Sequence, residues 1–416
     1  MAKWLTRSGW DVTVVTPDAS VWKRPEDPRD VDRTLEAEGI RCLRTPHSWK
    51  SLASGHLIPF YAGLGPVGER LGARLTHWGR QALARLEIAP EFGWVRDAER
   101  LSFRAVLQGV DLVLATGPPF SVFAAARRVA ARLGCPYVLD YRDLWFGNPW
   151  AKGPTSEKEL AAERLVLRDA AAVTTASAGL RQFLGATFDI AAKTHLISNG
   201  YDPEELAPAA ASSFDNPAIV YAGIFYPPRR RIDPILEALA RLEEKPPSPA
   251  GRWTLHYFGR HDRHVLEAAQ RLGIQSRVIL HGDVPHEQAL SALRGAAAAL
   301  IINSVDDTRE VPDRTGIPAK IYEAIGLGTP VLAIAPAGSD VEAVVRTAGR
   351  GRCFAGNEVE QMASYLLELA EQRLPQKATP EAFDWSHLGL QLDAVLRDVV
   401  NDRSSNRDGV SSFGPR

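Results

Sequence analysis

The chain has 416 residues, 45% apolar and 24% charged, with a formal net charge of −1. That composition is ordinary for a soluble globular protein, and the charge balance excludes a partner bound by bulk electrostatics, nucleic acid above all. A single hydrophobic core rarely grows to this length, so two domains are expected.

In chain order the signals alternate between strand and helix. The chain opens with a helix ending at Gly9 and then the strand 12–17, followed by short apolar runs at 40–46, 111–117, 136–142, 171–177 and 194–200. The clearest helix between them is "PPFSVFAAARRVAARLG" (118–134), with proline at its start and glycine at its end. The second half repeats the style at 218–223, 253–259, 277–283, 298–304, 329–336 and 351–356. Strands that are apolar almost throughout and separated by helices predict parallel sheets covered on both faces. The fold class is therefore α/β, with two Rossmann-like doubly wound domains facing across a cleft. A first domain over 1–200 is followed by a linker at 201–217, "YDPEELAPAAASSFDNP", and a second domain over 218–382. A helix at 383–400, anchored by Trp385, is placed near the domain junction, and the polar stretch 401–416 reads as a disordered tail.

One irregularity stands at the start. In a doubly wound domain a helix like the first one follows a first strand and a Gly-rich turn, and that strand lies mid-sheet. Neither is found here, so the first strand of the N-terminal domain is expected to be missing, leaving unpaired strand edges. Either the true start lies upstream or the chain is a truncated form, and the upstream start is the preferred reading.

Three cysteines (Cys42, Cys135, Cys353) are widely separated and none has CxxC spacing, which argues against a disulfide framework or zinc site and suits a reducing cytoplasm. No apolar run reaches the roughly 18 residues that span a bilayer, and no secretory signal is read.

Four stretches hold candidate chemistry. In "TGIPAKIYEAIGLGTPVLAI" (315–334) a helix from about Pro318 carries Lys320 in its first turn and Glu323 one turn on. Open N–H groups around Gly316 to Ala319 and the helix dipole would hold an anion, and Glu323 could accept from a ribose hydroxyl pair. An ordinary helix with Lys and Glu in solvent is the competing reading. In "YAGIFYPPRRRIDPILEALARL" (221–242), Arg229, Arg230 and Arg231 stand where guanidinium forks could grip a diphosphate; a solvated basic patch is the alternative for two of them. "LATGPPFS" (114–121) and "LDYRDLWFGNPW" (139–150) put Thr116, Gly117, Asp140, Arg142 and Asp143 at strand ends beside Trp145 and Trp150. Carboxylates next to aromatic rings suit a sugar or polyol, and an Arg–Asp pair that fixes the loop suits the same residues. Finally, "GERLGARLTHWGRQALARLE" (68–87) is a basic amphipathic helix with Trp78, able to lie on an anionic membrane surface or simply on the protein's own surface.

Taken together, "GWDVTVVTP", "DLVLATGPP", "DYRDLW", the exit "ISNGYDPEEL", "YAGIFYPPRR", "HGDVPHEQALSALRGAAAAL" and "IPAKIYEAIGLGTPVLAI" occur in an order and spacing that resemble one family over nearly the whole chain. It is the retaining, nucleotide-sugar-dependent glycosyltransferases of GT-B architecture, family four, and within it a subgroup of bacterial cell-surface polysaccharide transferases. The resemblance implies donor contacts at Gly223, Arg229, Arg230, Thr315, Gly316, Ile317, Lys320 and Glu323, with Glu323 on the ribose. It implies acceptor contacts at Thr116, Gly117, Arg142, Asp143 and Trp145, and a catalytic set of Asp143, Arg229 and Lys320. The donor is a nucleoside-diphosphate sugar, with no tightly bound cofactor and no metal. The acceptor is a glycan, a lipid-linked sugar or a small molecule, met in the cytoplasm or at the inner face of the membrane through 68–87. The sequence departs from the family at Thr315, where the first glutamate of a Glu-x7-Glu pair belongs, and at Ile224, where an arginine is usual. Two rivals are a nucleotide-sugar epimerase of the same architecture and a catalytically degenerate partner protein. No GxGxxG follows any strand, which argues against a nicotinamide dehydrogenase.

Overall fold

The structure, a computed structural model, describes residues 1–17, 28–45, 93–102, 104, 107–148, 157–244, 252–306, 310–371 and 381–411. All twelve predicted strands form within it, each within a few residues of the expected limits. The basic helix expected at 68–87 and Trp150 lie outside the described residues.

The chain divides into two compact units. The first contains Met1–Ala176, Leu184–Ile197 and Gly389–Arg416. Its elements are α1 (Ala2–Arg7), β1 (Thr13–Pro17), α2 (Pro28–Ala37), β2 (Arg41–Thr45), α3 (Gly93–Leu101), β3 (Val113–Gly117), α4 (Ser121–Leu133), β4 (Tyr137–Tyr141), α5 (Glu157–Asp169), β5 (Ala172–Thr175), the C-terminal part of α6 (Ala178–Phe188) from Leu184 on, and β6 (Thr194–Leu196). Among the described residues β1 and β2 make a parallel pair of their own, while β3-β4-β5-β6 form a separate four-stranded parallel sheet.

Helix α4 begins at Ser121 rather than Pro118. Gly117 and Pro118 each precede a proline, which disfavours helical backbone at both positions. Once started, its Ala- and Arg-rich sequence favours helix, its face Phe123, Ala125, Ala126 and Ala130 is buried, and Gly134 ends it with a left-handed φ of 62°.

The second unit contains Ser177–Phe183 and Ser198–Leu388. It carries α7 (Pro203–Leu206), β7 (Ala218–Ala222), α8 (Asp233–Glu243), β8 (Thr254–Phe258), α9 (Asp262–Arg271), β9 (Val278–Gly282), α10 (His286–Gly295), β10 (Ala298–Ile302), α11 (Val311–Thr315), α12 (Lys320–Gly326), β11 (Val331–Ile334), α13 (Asp340–Ala348), β12 (Gly351–Phe354) and α14 (Val359–Ala370). Its six strands are all parallel, in the order β12-β11-β10-β7-β8-β9. Alternation along each strand feeds two cores. Ile219, Tyr221, Leu255, Tyr257, Leu300 and Ile302 pack under α8 and α14, and Val220, Ala222, Phe258, Ala299 and Ile301 pack under α10, α12 and α13.

Two boundary expectations need correction. Residues 201–217 are not a free linker but part of the second unit: the Tyr201 N–H donates to Phe383 O at 2.9 Å, the Trp385 N–H donates to Tyr201 O at 3.0 Å, and Asp202 caps α7. The buried ring there is Phe383, against Tyr322, whereas Trp385 is half-buried. The last helix, α15 (Trp385–Ser411), also continues through 401–411, where a disordered tail was expected. Extending an established helix adds one hydrogen bond per residue ordered, which the nucleating first turn does not. Leu392 and Leu396 anchor the helix in the core of the first unit with Leu5 and Val138, and Arg403 donates to the carbonyls of Asp111 and Gly134.

Candidate active site

The strand order of the second unit reverses between β7 and β10, the first and fourth strands of that sheet, and ligands of doubly wound sheets bind beyond the carboxyl ends at such a reversal. Gly223, Arg229 and the loop after β10 gather there. The Gly223 N–H donates to Phe258 O at 2.9 Å, and Gly223 O accepts from the Tyr257 hydroxyl at 3.0 Å. Phe225 is buried and stacks on Tyr221 with ring centroids 4.8 Å apart, leaving Ile224 and Tyr226 exposed on either side of it.

The arginine loop is tied to the far loop by both backbone and side chains. The Val305 N–H donates to Arg229 O at 2.8 Å, and Arg230 donates through Nε to Asn303 O at 3.3 Å. Buried Asn303 in turn donates to Asp313 O at 2.6 Å. The Arg229 guanidinium bridges two carboxylates: buried Asp313, and exposed Glu310 at 2.7 Å. Arg230 also lies over the Tyr226 ring at 5.5 Å, and Arg231 reaches Asp233 at 3.5 Å. Glu310 and Asp313 lie 81 and 84 residues from Arg229, and sequence reasoning missed them.

Two expectations at the Gly316–Lys320 turn are corrected. The Gly316 N–H is not an open donor; it bonds Pro312 O at 3.1 Å, because α11 runs into it. Helix α12 starts at Lys320 rather than Pro318 and has only seven residues, so anion binding here rests on side chains more than on a long helix dipole. Thr315 turns its hydroxyl back to Val311 O at 2.9 Å, and its carbonyl accepts from the Ser177 hydroxyl at 3.0 Å. In that geometry it does not stand in for a carboxylate. Lys320 is exposed, and Glu323 accepts from His286 with Nε2 and Oε1 3.2 Å apart. The hydrogen bond to Glu323 raises the imidazole's pKa above its ordinary value, against the pull of partial burial. His286 is a second residue that the sequence did not mark, since a histidine opening a polar helix looks like any surface histidine. Ile317 is half-buried against the core beneath α12.

In the first unit the corresponding strand ends are mostly committed to framework. Asp140 is fully buried and accepts from both Nε and Nη2 of Arg142 and from Thr174 Oγ1, the last at 2.5 Å. Arg142 also donates through Nη1 to Ile197 O at 2.9 Å. Arg142 therefore fixes the loop rather than facing an acceptor. Trp145, also expected as an acceptor contact, is buried and stacks on Phe120 with centroids 5.4 Å apart and planes 3° apart. Gly117 is buried too, with no room for a side chain beside Phe123. Exposed Thr116 and half-buried Asp143, whose Oδ1 accepts from the Leu144 N–H at 2.8 Å, remain at the surface of this end.

Glu163 was not read from the sequence at all. It is fully buried, and its two oxygens accept from the Tyr141 hydroxyl at 3.2 Å and the Phe146 N–H at 2.9 Å. Burial pushes its carboxyl up to about 8, against the lowering effect of those two donors. The folded state thus binds this proton more tightly than the unfolded chain, whose carboxyl titrates near 4.5, so stability is lost as pH rises from about 4.5 to about 8. The slope cannot exceed about 1.4 kcal/mol per pH unit. Urea unfolding of the first unit at several pH values should show this decline in wild type and a flatter profile in Glu163→Gln; equal slopes would rule out the assignment.

Among the described residues no group of three or more His, Cys, Asp or Glu side chains could hold a metal ion, and no helix is long and apolar enough to cross a membrane.

Residues 1–200 match the family model of the glycosyl transferase 4-like domain, and residues 216–372 match that of glycosyl transferases group 1. No curated protein matches the sequence. Among solved structures, a glycosyltransferase from Rickettsia africae ESF-5 is similar at 13% identity and TM-score 0.59, covering 96% of this chain and 93% of that one. Sucrose-phosphate synthase from Thermosynechococcus elongatus is similar at 17% identity and TM-score 0.58, covering 96% and 92%. Anabaena Alr3699/HepE in complex with UDP-glucose is similar at 16% identity and TM-score 0.52, covering 90% and 89%.

Proposed function

We propose, for a chain that belongs to the GT-B glycosyltransferases with one 4-like and one group 1 domain, that the second unit binds a nucleoside-diphosphate sugar and the first binds the acceptor. The observation that carries the donor assignment is the convergence of Gly223, Arg229, Arg230, Asn303 and Asp313 on the strand-order reversal, followed at once by Lys320 and Glu323. Lys320 and Arg229, whose guanidinium would exchange exposed Glu310 for a phosphate oxygen, neutralise the departing diphosphate, which is the largest demand that sugar transfer places on a protein. Glu323 holds the ribose hydroxyls. Support for a uridine donor comes from HepE, whose solved complexes contain UDP-glucose, UDP, and UDP with glucose.

Thr116 and Asp143 face the acceptor, held in place by the Asp140–Arg142–Thr174 network behind them. Asp143 is the candidate side chain to take the acceptor's proton. The reaction proceeds with retention and without an obligatory metal, in the cytoplasm, on a precursor of a cell-surface polysaccharide or glycoconjugate.

Turnover separates this reading from its rivals. Incubated with radiolabelled UDP- or GDP-sugars and a membrane extract, the protein should release nucleoside diphosphate in proportion to sugar transferred. Glu323→Ala should lower kcat/KM by about 10- to 100-fold, the value of one or two hydrogen bonds to a charged group. Conversion of free donor into an isomeric nucleotide sugar, with no diphosphate released, would identify an epimerase instead.

A further inference from the structure

The contact between His286 and Glu323 gives the proposed donor site a property that its family likeness does not. His286 opens α10, and Glu323 lies one turn into α12. Their Nε2 and Oε1 atoms are 3.2 Å apart, with side chains 59% and 29% exposed, so the pair sits at the surface within reach of a ligand. The other charged groups acting on His286 are Lys320, on the same helix as Glu323, and Glu205, on α7. Lys320 opposes protonation of the imidazole, while Glu323 and Glu205 favour it.

A carboxylate accepts through two oxygens, and a ribose 2′,3′-diol presents two hydroxyls that match them. One of the two oxygens is already engaged by His286. We propose that His286 is a titratable positioning residue that competes with the ribose for Glu323: it holds the carboxylate before a nucleoside arrives and gives it up, with a proton, when the diol binds. The inference rests on the donor-site reading above and adds to it a proton coupled to the ribose.

The sign follows from linkage. The Glu323 hydrogen bond raises the His286 pKa, so its loss to the ribose returns the imidazole toward its ordinary 6.5. At a pH between those two values part of a proton leaves to solvent for each nucleotide bound. Donor affinity therefore rises as pH increases through that window.

Calorimetric titration with UDP and with GDP, near pH 7 in buffers of different ionisation enthalpy, counts the protons. Inorganic pyrophosphate, which has no ribose, serves as the control. His286→Gln keeps an N–H donor for Glu323 but cannot titrate. It should bind UDP or GDP within about threefold of wild type while releasing fewer protons, by up to one per site. With pyrophosphate the two proteins should release equally. Equal proton counts with the nucleotides would overturn the inference. So would a histidine-dependent release that pyrophosphate reproduces, because the phosphates rather than the ribose would then drive it. Failure of UDP and GDP to bind the wild-type protein at all is a different result, seen as the absence of heat, and would remove the donor-site reading itself.

Discussion

Asp140→Ala should destabilise the first unit by about 3–5 kcal/mol, a large share of the 5–15 kcal/mol that holds a typical domain. Asp140 is fully buried at the end of β4, and the Arg142 guanidinium bonded to it is only 14% exposed. Alanine would remove the carboxylate that accepts from Nε and Nη2 of that guanidinium, leaving Ile197 O among its other partners, and would strip Thr174 Oγ1 of its acceptor. Removing one member of a buried pair costs far more than the pair itself is worth, since the other charge stays desolvated. Asp140→Asn retains an acceptor for Thr174 and should lose less. Urea unfolding followed by circular dichroism measures both variants. A loss below about 1 kcal/mol for alanine, the level of an exposed salt bridge, would show that the network does not hold the loop.

Gly259→Ala should damage the second unit at the carboxyl end of β8. A Cβ there would come within 2.2 Å of Gly223 O and 2.3 Å of the Tyr257 hydroxyl, neither of which can step aside without breaking another bond. Gly223 O and that hydroxyl are hydrogen-bonded to each other at 3.0 Å, and the same hydroxyl accepts from the His261 N–H at 3.1 Å. Forcing a methyl group into such a junction costs about 1–3 kcal/mol. Because the junction also fixes the turn leading to Arg229, nucleotide affinity should fall along with stability. A neighbouring change with open space, Gly282→Asn, is a suitable comparison: its φ of 69° is tolerated by asparagine, and nothing lies within 4 Å of its Cβ. If Gly259→Ala kept both wild-type stability and wild-type binding, the close approach would be unimportant.

The fold could be read closely from the sequence because its signals are local. Apolar runs such as "AIVYAG" and "TPVLAIAP" define buried parallel strands without reference to anything distant. The Gly326-Leu327-Gly328 end of α12 rests on two reasons, one local and one not. Gly328 supplies a φ of 75°, while Gly326 is small because the Tyr201 ring and Leu206 pack within 2.5 Å of where its Cβ would be. That second reason involves residues far away in the chain and was invisible.

The candidate site divides in the same way. Lys320, Glu323 and the arginines could be marked from residue type and position after strands. What each of them touches could not. Arg229 is held by Asp313 and Glu310, Glu323 by His286, and Trp145 by Phe120, and no local rule pairs them. Arg142 shows the opposite hazard. A cation beside two carboxylates and a tryptophan suits a sugar site, yet its short link to Asp140 makes it framework.

Under the proposed function, the second unit seats a nucleoside diphosphate on Arg229, Lys320 and Glu323. Calorimetric binding of UDP and GDP to the full chain, with Arg229→Gln, Lys320→Ala and Glu323→Ala alongside, tests it most directly. Micromolar affinity for one of the two nucleotides is expected, weakened by about 10-fold or more in each variant while the variants remain folded. A folded wild-type protein that binds neither nucleotide, or variants that bind as tightly as wild type, would contradict it.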